Sequence, residues 1–175
     1  VLNHAWVYGT QTAVNDGYQL GLFVYANTIE YSDLYTWFDE TTYKTDVNAE
    51  NSFTVNGLSV MNSGPDSPVT AAPANATVTV YDENGNVAEA LGTKTDEHGQ
   101  FKVTFPKDGK YTIEVSGTCT YTCSGYGGSG MNTYKDATVV PTRCTVLVGT
   151  ARGTLGDING DGVIDLTDAA QLLDK

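Results

Sequence analysis

The chain has 175 residues, with 9 basic and 21 acidic side chains and a formal net charge of −12 at pH 7. This acidic surplus argues against binding to nucleic acid or to an anionic membrane surface, because both are polyanions. No apolar run is long enough to span a bilayer, and a sequence rich in Thr, Gly, Asn and Tyr is typical of β-rich extracellular proteins.

The first 64 residues contain short apolar stretches that we interpret as strands. In chain order they read AWVY, LGLFVY, DLYTWF, SFTV and LSV. The next stretch, MNSGPDSPVTAAPANA, lacks periodicity and holds three of the five prolines, so we expect a linker or a crossing between domains there. We expect a β-sandwich-like module over residues 1–72 and a second β module over residues 73–150, although one extended sandwich would also fit.

Three aromatic residues of the stretch YSDLYTWFD are candidates for glycan binding. Tyr31, Tyr35 and Trp37 share one face if this stretch is a strand, while Leu34 and Phe38 share the other. Aromatic rings flanked by aspartates can stack on sugar rings and bond their hydroxyls. The competing interpretation, which we prefer, is that both faces of this strand are buried or that its aromatic face packs against the second domain, since aromatic residues are abundant in sandwich cores.

Residues 73–150 show the period-two alternation of half-buried strands. We expect FKVTF and YTIEV to form a hairpin joined by PKDGK, DENGN and DEHGQ to form turns, and CTVLV to be a closing strand. The segment 124–136, SGYGGSGMNTYKD, is expected to be a long Gly/Ser loop. The apolar side chains on one face predict a common core that contains Phe101, Val103, Phe105, Tyr111, Ile113 and Val115.

The three cysteines, Cys119, Cys123 and Cys144, allow at most one internal disulfide. We expect a cross-strand pair that involves Cys144, with buried free thiols as the alternative. A zinc site is not favoured, because His4 and His98 lie far away in the sequence.

The segments ATVTVYDENG, TDEHGQFKV and GKYTIEV resemble the immunoglobulin-like or transthyretin-like repeats of bacterial surface proteins. The resemblance implies an architecture rather than an activity. The predicted fold class is therefore mostly β, with one or two immunoglobulin-like β-sandwich units followed by a short EF-hand-like calcium loop and helix.

The calcium loop is predicted from the final stretch, GDINGDGVIDLTDAAQLLDK. Oxygen-bearing side chains alternate along it, and a glycine in the sixth loop position permits the sharp turn that a calcium loop needs. Hard oxygen ligands suit Ca²⁺ rather than zinc or copper. The predicted ligands are Asp157, Asn159, Asp161, the carbonyl of Val163, Asp165 (directly or through water) and Asp168.

The opening Gly-Asp, the NGDG core, the Thr-Asp pair and the Leu-Leu of the predicted helix resemble the first half of a dockerin, the module that plugs secreted bacterial proteins into cohesin domains. The resemblance covers residues 156–175, within a tail over residues 151–175. It implies an extracellular or cell-surface bacterial protein, a bound Ca²⁺ and a cohesin partner, with Leu166 and Thr167 as cohesin-binding residues. Dockerins carry two such repeats and this chain has one, so we expect cohesin binding to need a complete dockerin.

No catalytic grouping is recognisable in the sequence. There is no nucleophile elbow or Ser/His/Asp arrangement, and the two histidines are far apart. We therefore expect a non-catalytic structural or adhesion module, tethered to a cohesin through the calcium-binding dockerin. The alternatives are a carbohydrate-binding module that uses surface aromatics on a polysaccharide, or an accessory part of a larger glycan-degrading enzyme.

Overall fold

A computed structural model describes residues 4, 13–18, 20–22, 24–29, 31–58, 70–124, 130–149 and 166. This part of the chain contains one short 3₁₀ helix, Glu89–Leu91, and no helix in it is long and apolar enough to cross a membrane. The strands are β1 Leu34–Phe38, β2 Thr42–Thr45, β3 Glu50–Leu58, β4 Thr70–Ala71, β5 Thr77–Tyr81, β6 Thr93–Lys94, β7 Gln100–Thr104, β8 Gly109–Ser116, β9 Thr118–Ser124, β10 Met131–Val140 and β11 Thr142–Val148.

The strands form two sheets, which confirms the prediction of a mostly β fold. The first sheet has the order β4-β3-β1-β10-β9, with β7 also paired to β3. The second has the order β2-β11-β8-β5-β6. Most pairs are antiparallel, but β1 runs parallel to β10 and β2 runs parallel to β11.

Strands from both sides of residue 72 belong to the same two sheets. In the first sheet β1 lies between β3 and β10, and in the second sheet β2 lies beside β11. Within the proline-rich stretch, β4 pairs with the end of β3, and Ala74 forms a bridge to Thr120 of β9. Prolines and glycines mark local breaks in regular structure, and here such a stretch lies between β3 of the first sheet and β5 of the second.

The predicted core is confirmed. Alternate side chains of β5, β7 and β8 point between the two sheets, as their period-two sequences indicate. All six residues predicted for the core are buried in one cluster, which also takes in side chains of β1, β3, β9, β10 and β11. On neighbouring strands, Phe53 and Phe101 lie opposite each other and stack with their ring centroids 5.3 Å apart.

The expected hairpin of FKVTF and YTIEV is wrong. β7 pairs with β3 in the first sheet, whereas β8 pairs with β5 and β11 in the second. The turn between β7 and β8 therefore leads from the first sheet to the second. Near this turn, the ring centroid of Phe105 lies 4.8 Å from that of Tyr111. Alternation identifies the buried face of a strand but leaves open whether consecutive strands meet edge to edge or face to face.

The expected loop over residues 124–136 is wrong for the part that the structure describes. Met131–Val140 is strand β10, which pairs antiparallel with β9 from Met131 opposite Ser124 onward. A bulge between Tyr134 and Ala137 shifts the register, and Asp136 there has a φ of 54°. This half of β10 is largely exposed, so its sequence lacks the alternation that predicts a strand.

Candidate functional site

The aromatic residues of β1 occupy the outer face of the first sheet. Leu34 and Phe38 point into the core between the sheets. Tyr35 and Trp37 point to the opposite side, because successive residues of a strand alternate between faces. Their ring centroids lie 5.9 Å apart with a tilt of 34°.

Residues from the beginning of the chain cover this pair. The ring of His4 stacks on Trp37, with the centroids 4.4 Å apart and the planes within 5° of parallel. The backbone of Gly21 packs against Tyr35, so that a Cβ there would lie 3.0 Å from the tyrosine hydroxyl. As a result, Trp37 is only 9% exposed, and a sugar ring cannot stack on its covered side unless His4 leaves.

Burial also favours the neutral forms of the His4 and Tyr35 side chains. It lowers the pKa of His4 below its usual value, because the imidazolium would lose hydration. Nδ1 of His4 is buried and has no hydrogen-bond partner among the residues that the structure describes. Burial raises the pKa of Tyr35 in the same way. The His4–Tyr35–Trp37 cluster is therefore uncharged near neutral pH.

Tyr31 lies apart from the other two candidate glycan-binding residues. β1 begins at Leu34, and Tyr31 has a φ of 52° in the preceding turn, where its N–H donates to the carbonyl of Asn27. Its ring packs edge-on against Tyr25, with centroids 5.3 Å apart, and is 57% exposed. The structure brings Tyr35 and Trp37 together without Tyr31, and glycan binding by these residues stays a prediction.

The aspartates that flank the aromatic stretch make hydrogen bonds within the protein. The buried carboxylate of Asp33 accepts hydrogen bonds from the backbone N–H groups of Ala26 and Asn27. Asp39 accepts a hydrogen bond of 2.6 Å from Nδ2 of Asn56. Asp33 therefore holds the turn before β1 in place. Of the two aspartates, Asp39 is the one that lines the shallow depression of about 300 Å³ beside His4 and Trp37, together with Glu40 and Arg143.

The expected pair involving Cys144 is wrong, since all three cysteines are buried free thiols. Cys119 and Cys123 lie on β9 of the first sheet, whereas Cys144 lies on β11 of the second, opposite Ile113. Burial raises the pKa of Cys119 and of Cys144 to about 12. Both side chains are therefore protonated near neutral pH, and protonated thiols are poor nucleophiles and poor metal ligands.

The predicted calcium loop falls on residues that the structure does not describe. This applies to the cohesin-contact position Thr167 and to all six calcium ligands: Asp157, Asn159, Asp161, Val163, Asp165 and Asp168. Leu166 is described, has helical backbone and is 85% exposed. Over the described ranges, no three His, Cys, Asp or Glu residues are grouped so that they could hold a metal ion. Calcium binding therefore stays a prediction.

The outer face of the second sheet carries a group of polar residues that sequence analysis did not single out. Cross-strand pairs align them in rows: Lys110 lies opposite Leu147, and Thr112 lies opposite both Tyr81 and Thr145. The alternation of β8 was a signal for this face, but the sequence did not indicate that β8 pairs with β5 and β11, or that β11 pairs with β2. We call this surface the outer threonine face; it consists of Thr42, Lys44, Thr77, Thr79, Tyr81, Lys110, Thr112, Glu114, Arg143, Thr145 and Leu147.

On the outer threonine face, Arg143 makes an ion pair and a contact with an aromatic ring. Its Nε and Nη2 atoms lie 2.7 and 2.6 Å from Oε2 of Glu114, the residue opposite it on β8. The guanidinium carbon lies 5.9 Å from the ring centroid of Tyr81, within the range of a cation–π contact. Together with Lys110 and Thr112, Arg143 and Tyr81 line a depression of about 330 Å³.

No protein-family model and no curated protein matches the chain. Among solved structures, it is similar to the crystal structure of Dscam1 isoform 7.44, N-terminal four Ig domains, with 12% sequence identity and a TM-score of 0.27. The match covers 67% of this chain and 21% of that chain. A likeness of this size supports no statement about the function of this chain.

Proposed function

We propose that this chain is a non-catalytic structural or adhesion module of a secreted bacterial protein, an immunoglobulin-like β-sandwich followed by a calcium-binding, dockerin-like tail. The tail joins the protein to a cohesin once the dockerin is complete. The observation that carries the proposal is the spacing of oxygen ligands from Asp157 to Asp168, with Gly162 in the sixth place.

Electrostatics supports calcium as the ligand of this tail. Four aspartates lie within twelve residues of the loop: Asp157, Asp161, Asp165 and Asp168. Without a cation, these like charges repel one another when the loop closes, whereas a divalent ion supplies the compensating charge and stabilises the closed loop. Ca²⁺ is preferred over Mg²⁺, because Mg²⁺ needs a smaller octahedral shell and releases its waters reluctantly.

The state of the potential nucleophiles and bases supports a structural role for the β region. The buried thiols of Cys119 and Cys144 are protonated near neutral pH. His4 is stacked on Trp37, and His98 lies in an exposed turn beside Glu97, with Nε2 and Oε1 3.6 Å apart. Each of these groups is therefore either packed as part of the fold or exposed in a turn.

The test is calcium titration of the full chain by isothermal calorimetry. Wild type is expected to bind one Ca²⁺, and Asp161→Ala to bind at least about tenfold more weakly, the scale seen even for losses outside the first ligand shell. Asp16→Ala is the matched control, because it removes the same charge from an exposed position far from the tail in the sequence. Equal calcium binding by wild type and Asp161→Ala, or no binding by wild type, contradicts the proposal.

A further inference from the structure

We propose that the chain forms a symmetric dimer through an apolar patch on the segment that precedes β1, so that the patch of one copy packs against the same patch of a second copy. The patch consists of Leu20, Leu22, Val24, Ile29 and Tyr31, which are 79, 96, 87, 89 and 57% exposed. This inference does not rest on the calcium-binding tail, and it uses no residue of the outer threonine face.

The exposure of this segment alternates, but its polarity is opposite to that of an ordinary surface strand. Leu20, Leu22 and Val24 are exposed, whereas Gly21 and Tyr25 are partly covered, and the backbone of Gly21 packs against a tyrosine of β1. One side of the segment therefore contacts the fold, and the side that faces solvent is apolar. A near-continuous apolar sequence such as LGLFVY is typical of strands that are buried on both faces. A partner on the solvent side would bury the second face.

Hydrogen bonds hold the second half of the patch on the fold. The buried carboxylate of Asp33 accepts hydrogen bonds from the backbone N–H groups of Ala26 and Asn27. The side-chain oxygen of Asn27 accepts one from the N–H of Ile29 at 3.0 Å, and its carbonyl accepts one from the N–H of Tyr31 at 3.1 Å. Ile29 and Tyr31 therefore lie on an ordered turn, and little conformational entropy is lost when a partner binds them.

The patch is large enough for a reversible dimer. The ring of Tyr31 lies edge-on to that of Tyr25, the residue after Val24, with centroids 5.3 Å apart, so the two halves of the patch are continuous. A fully exposed aliphatic side chain offers roughly 60–120 Å² of apolar surface, and the five side chains in each of two copies offer roughly 600–1,200 Å². Specific interfaces bury about 1,200–2,000 Å² in total, of which about 56–65% is non-polar. The patch can supply most of this non-polar area.

The lack of charge favours a second copy as the partner. From Gly17 to Ile29 the sequence has no charged side chain, although the net charge of the chain is −12. In a symmetric dimer the same patch serves both copies, so apolar surface meets apolar surface and no carboxylates of this segment face each other. The remaining repulsion between two acidic copies is screened beyond about 8 Å at physiological salt. The dimer should therefore become tighter as the salt concentration rises.

The experiment is sedimentation velocity of the full chain in reducing, calcium-free buffer, from about 1 to 200 µM, since interfaces of this size can be weak. Wild type is expected to convert from monomer to dimer over this range, and more completely in about 300 mM than in about 50 mM NaCl. Leu22→Asp should raise the dissociation constant at least about tenfold, because the symmetric interface brings the two new carboxylates together. Val87→Asp is the matched control, since it adds the same charge at an exposed apolar residue beside β5 of the second sheet, and it should dimerise like wild type.

Thermal unfolding at a concentration where the protein is monomeric separates a partner from burial by the chain itself. Leu22→Asp should leave the monomer as stable as wild type, because a side chain that is 96% exposed contributes little to folding. A less stable Leu22→Asp monomer would show that the chain buries Leu22 itself and would overturn the proposal. A wild type that stays monomeric, a dimer that weakens as salt rises, or equal dimerisation of Leu22→Asp and wild type would also overturn it.

Two further measurements exclude other origins of association. Asp161→Ala should dimerise like wild type, and loss of the dimer in this variant would assign the interface to the tail instead of the patch. Monomeric wild type should not bind vesicles of phosphatidylcholine. Vesicle binding that Leu22→Asp abolishes would assign the patch to a membrane surface and contradict the dimer.

Discussion

The outer faces of the two sheets differ although both belong to the same packed structure. On the first sheet, Tyr35 and Trp37 are covered by residues from far earlier in the chain, and the resulting cluster is uncharged. On the second sheet, threonines and basic side chains form a face with a depression open to solvent. The comparison shows that an aromatic pair beside aspartates, a pattern typical of sugar-binding surfaces, can instead be packed against other parts of the chain.

The largest expected difference in stability between the two faces comes from removing one aromatic ring from each. Trp37→Ala should destabilise the protein by about 3 to 5 kcal/mol, the range for large-to-small changes at buried aromatic positions. Tyr81→Ala should cost only about 1 kcal/mol, near the centre of the range for point substitutions, because its ring is partly exposed. Denaturant unfolding of both variants measures the difference.

If Trp37→Ala and Tyr81→Ala lowered the free energy of unfolding equally, the two rings would be packed to the same extent. If Trp37→Ala were as stable as wild type and abolished binding to a neutral glycan, the glycan-binding interpretation of Trp37 would gain instead. Tyr31→Ala is a useful companion variant, because its ring is exposed and outside β1, so its loss should leave stability nearly unchanged.

Alternation along single strands was enough to predict the core but not the faces. Val103 and Ile113 are buried as their alternating sequences indicate, because the side-chain period of a strand depends on local geometry. The cover on Trp37 comes from His4, and the row from Thr42 to Tyr81 joins four strands. Contacts between residues so distant in sequence depend on sheet topology, which the alternation of single strands does not encode.

The two turns DENGN and DEHGQ, in contrast, could be predicted from the sequence, because their hydrogen bonds are local. DENGN and DEHGQ form turns as predicted, and in both the opening aspartate accepts hydrogen bonds from the N–H groups two and four residues later. The glycines Gly85 and Gly99 have φ angles of 81° and 72°. The sequence did not indicate that only Gly99 packs closely against other parts of the fold.

This difference between the turns predicts the second largest effect. A Cβ at Gly99 would lie 2.5 Å from the carbonyl oxygen of Val55 on the first sheet, whereas a Cβ at Gly85, beside the second sheet's depression, would meet nothing within 4 Å. Gly85→Ala should therefore cost about 1 to 2 kcal/mol, for backbone strain alone. Gly99→Ala should cost roughly 1 to 3 kcal/mol more, for overpacking.

Thermal or denaturant unfolding of the two alanine variants provides the measurement, and the pair forms its own control because the local hydrogen bonds are the same. A similar cost for both substitutions would show that β3 and Pro73 can move away from Gly99. The close packing of this turn would then be adjustable, and the contrast between the two turns would lose its energetic meaning.

The smallest expected effect is a pH dependence of stability that comes from His4, the residue stacked on Trp37. Burial lowers the pKa of His4 below its usual value of 6.5, so the unfolded state binds a proton more readily than the folded state. The contribution of the stacked, neutral ring is therefore complete above pH 6.5 and declines as the pH falls from 6.5 to the lowered pKa. The charged groups that line the same depression are Asp39, Glu40 and Arg143; the two carboxylates favour the imidazolium, and the guanidinium opposes it.

His4→Phe is the matched variant, because phenylalanine can keep the stacking on Trp37 but cannot titrate. Wild type should lose melting temperature relative to His4→Phe when the pH is lowered from 7.5 to 5.5, and the two should behave alike above pH 6.5. A nuclear magnetic resonance titration of His4, made in a His98→Gln background so that a single imidazole remains, gives its pKa directly. A pKa at or above 6.5, or the same pH dependence in His4→Phe, would show that His4 is not held neutral on Trp37. The outer face of the first sheet would then be more open to solvent than the stacked arrangement implies.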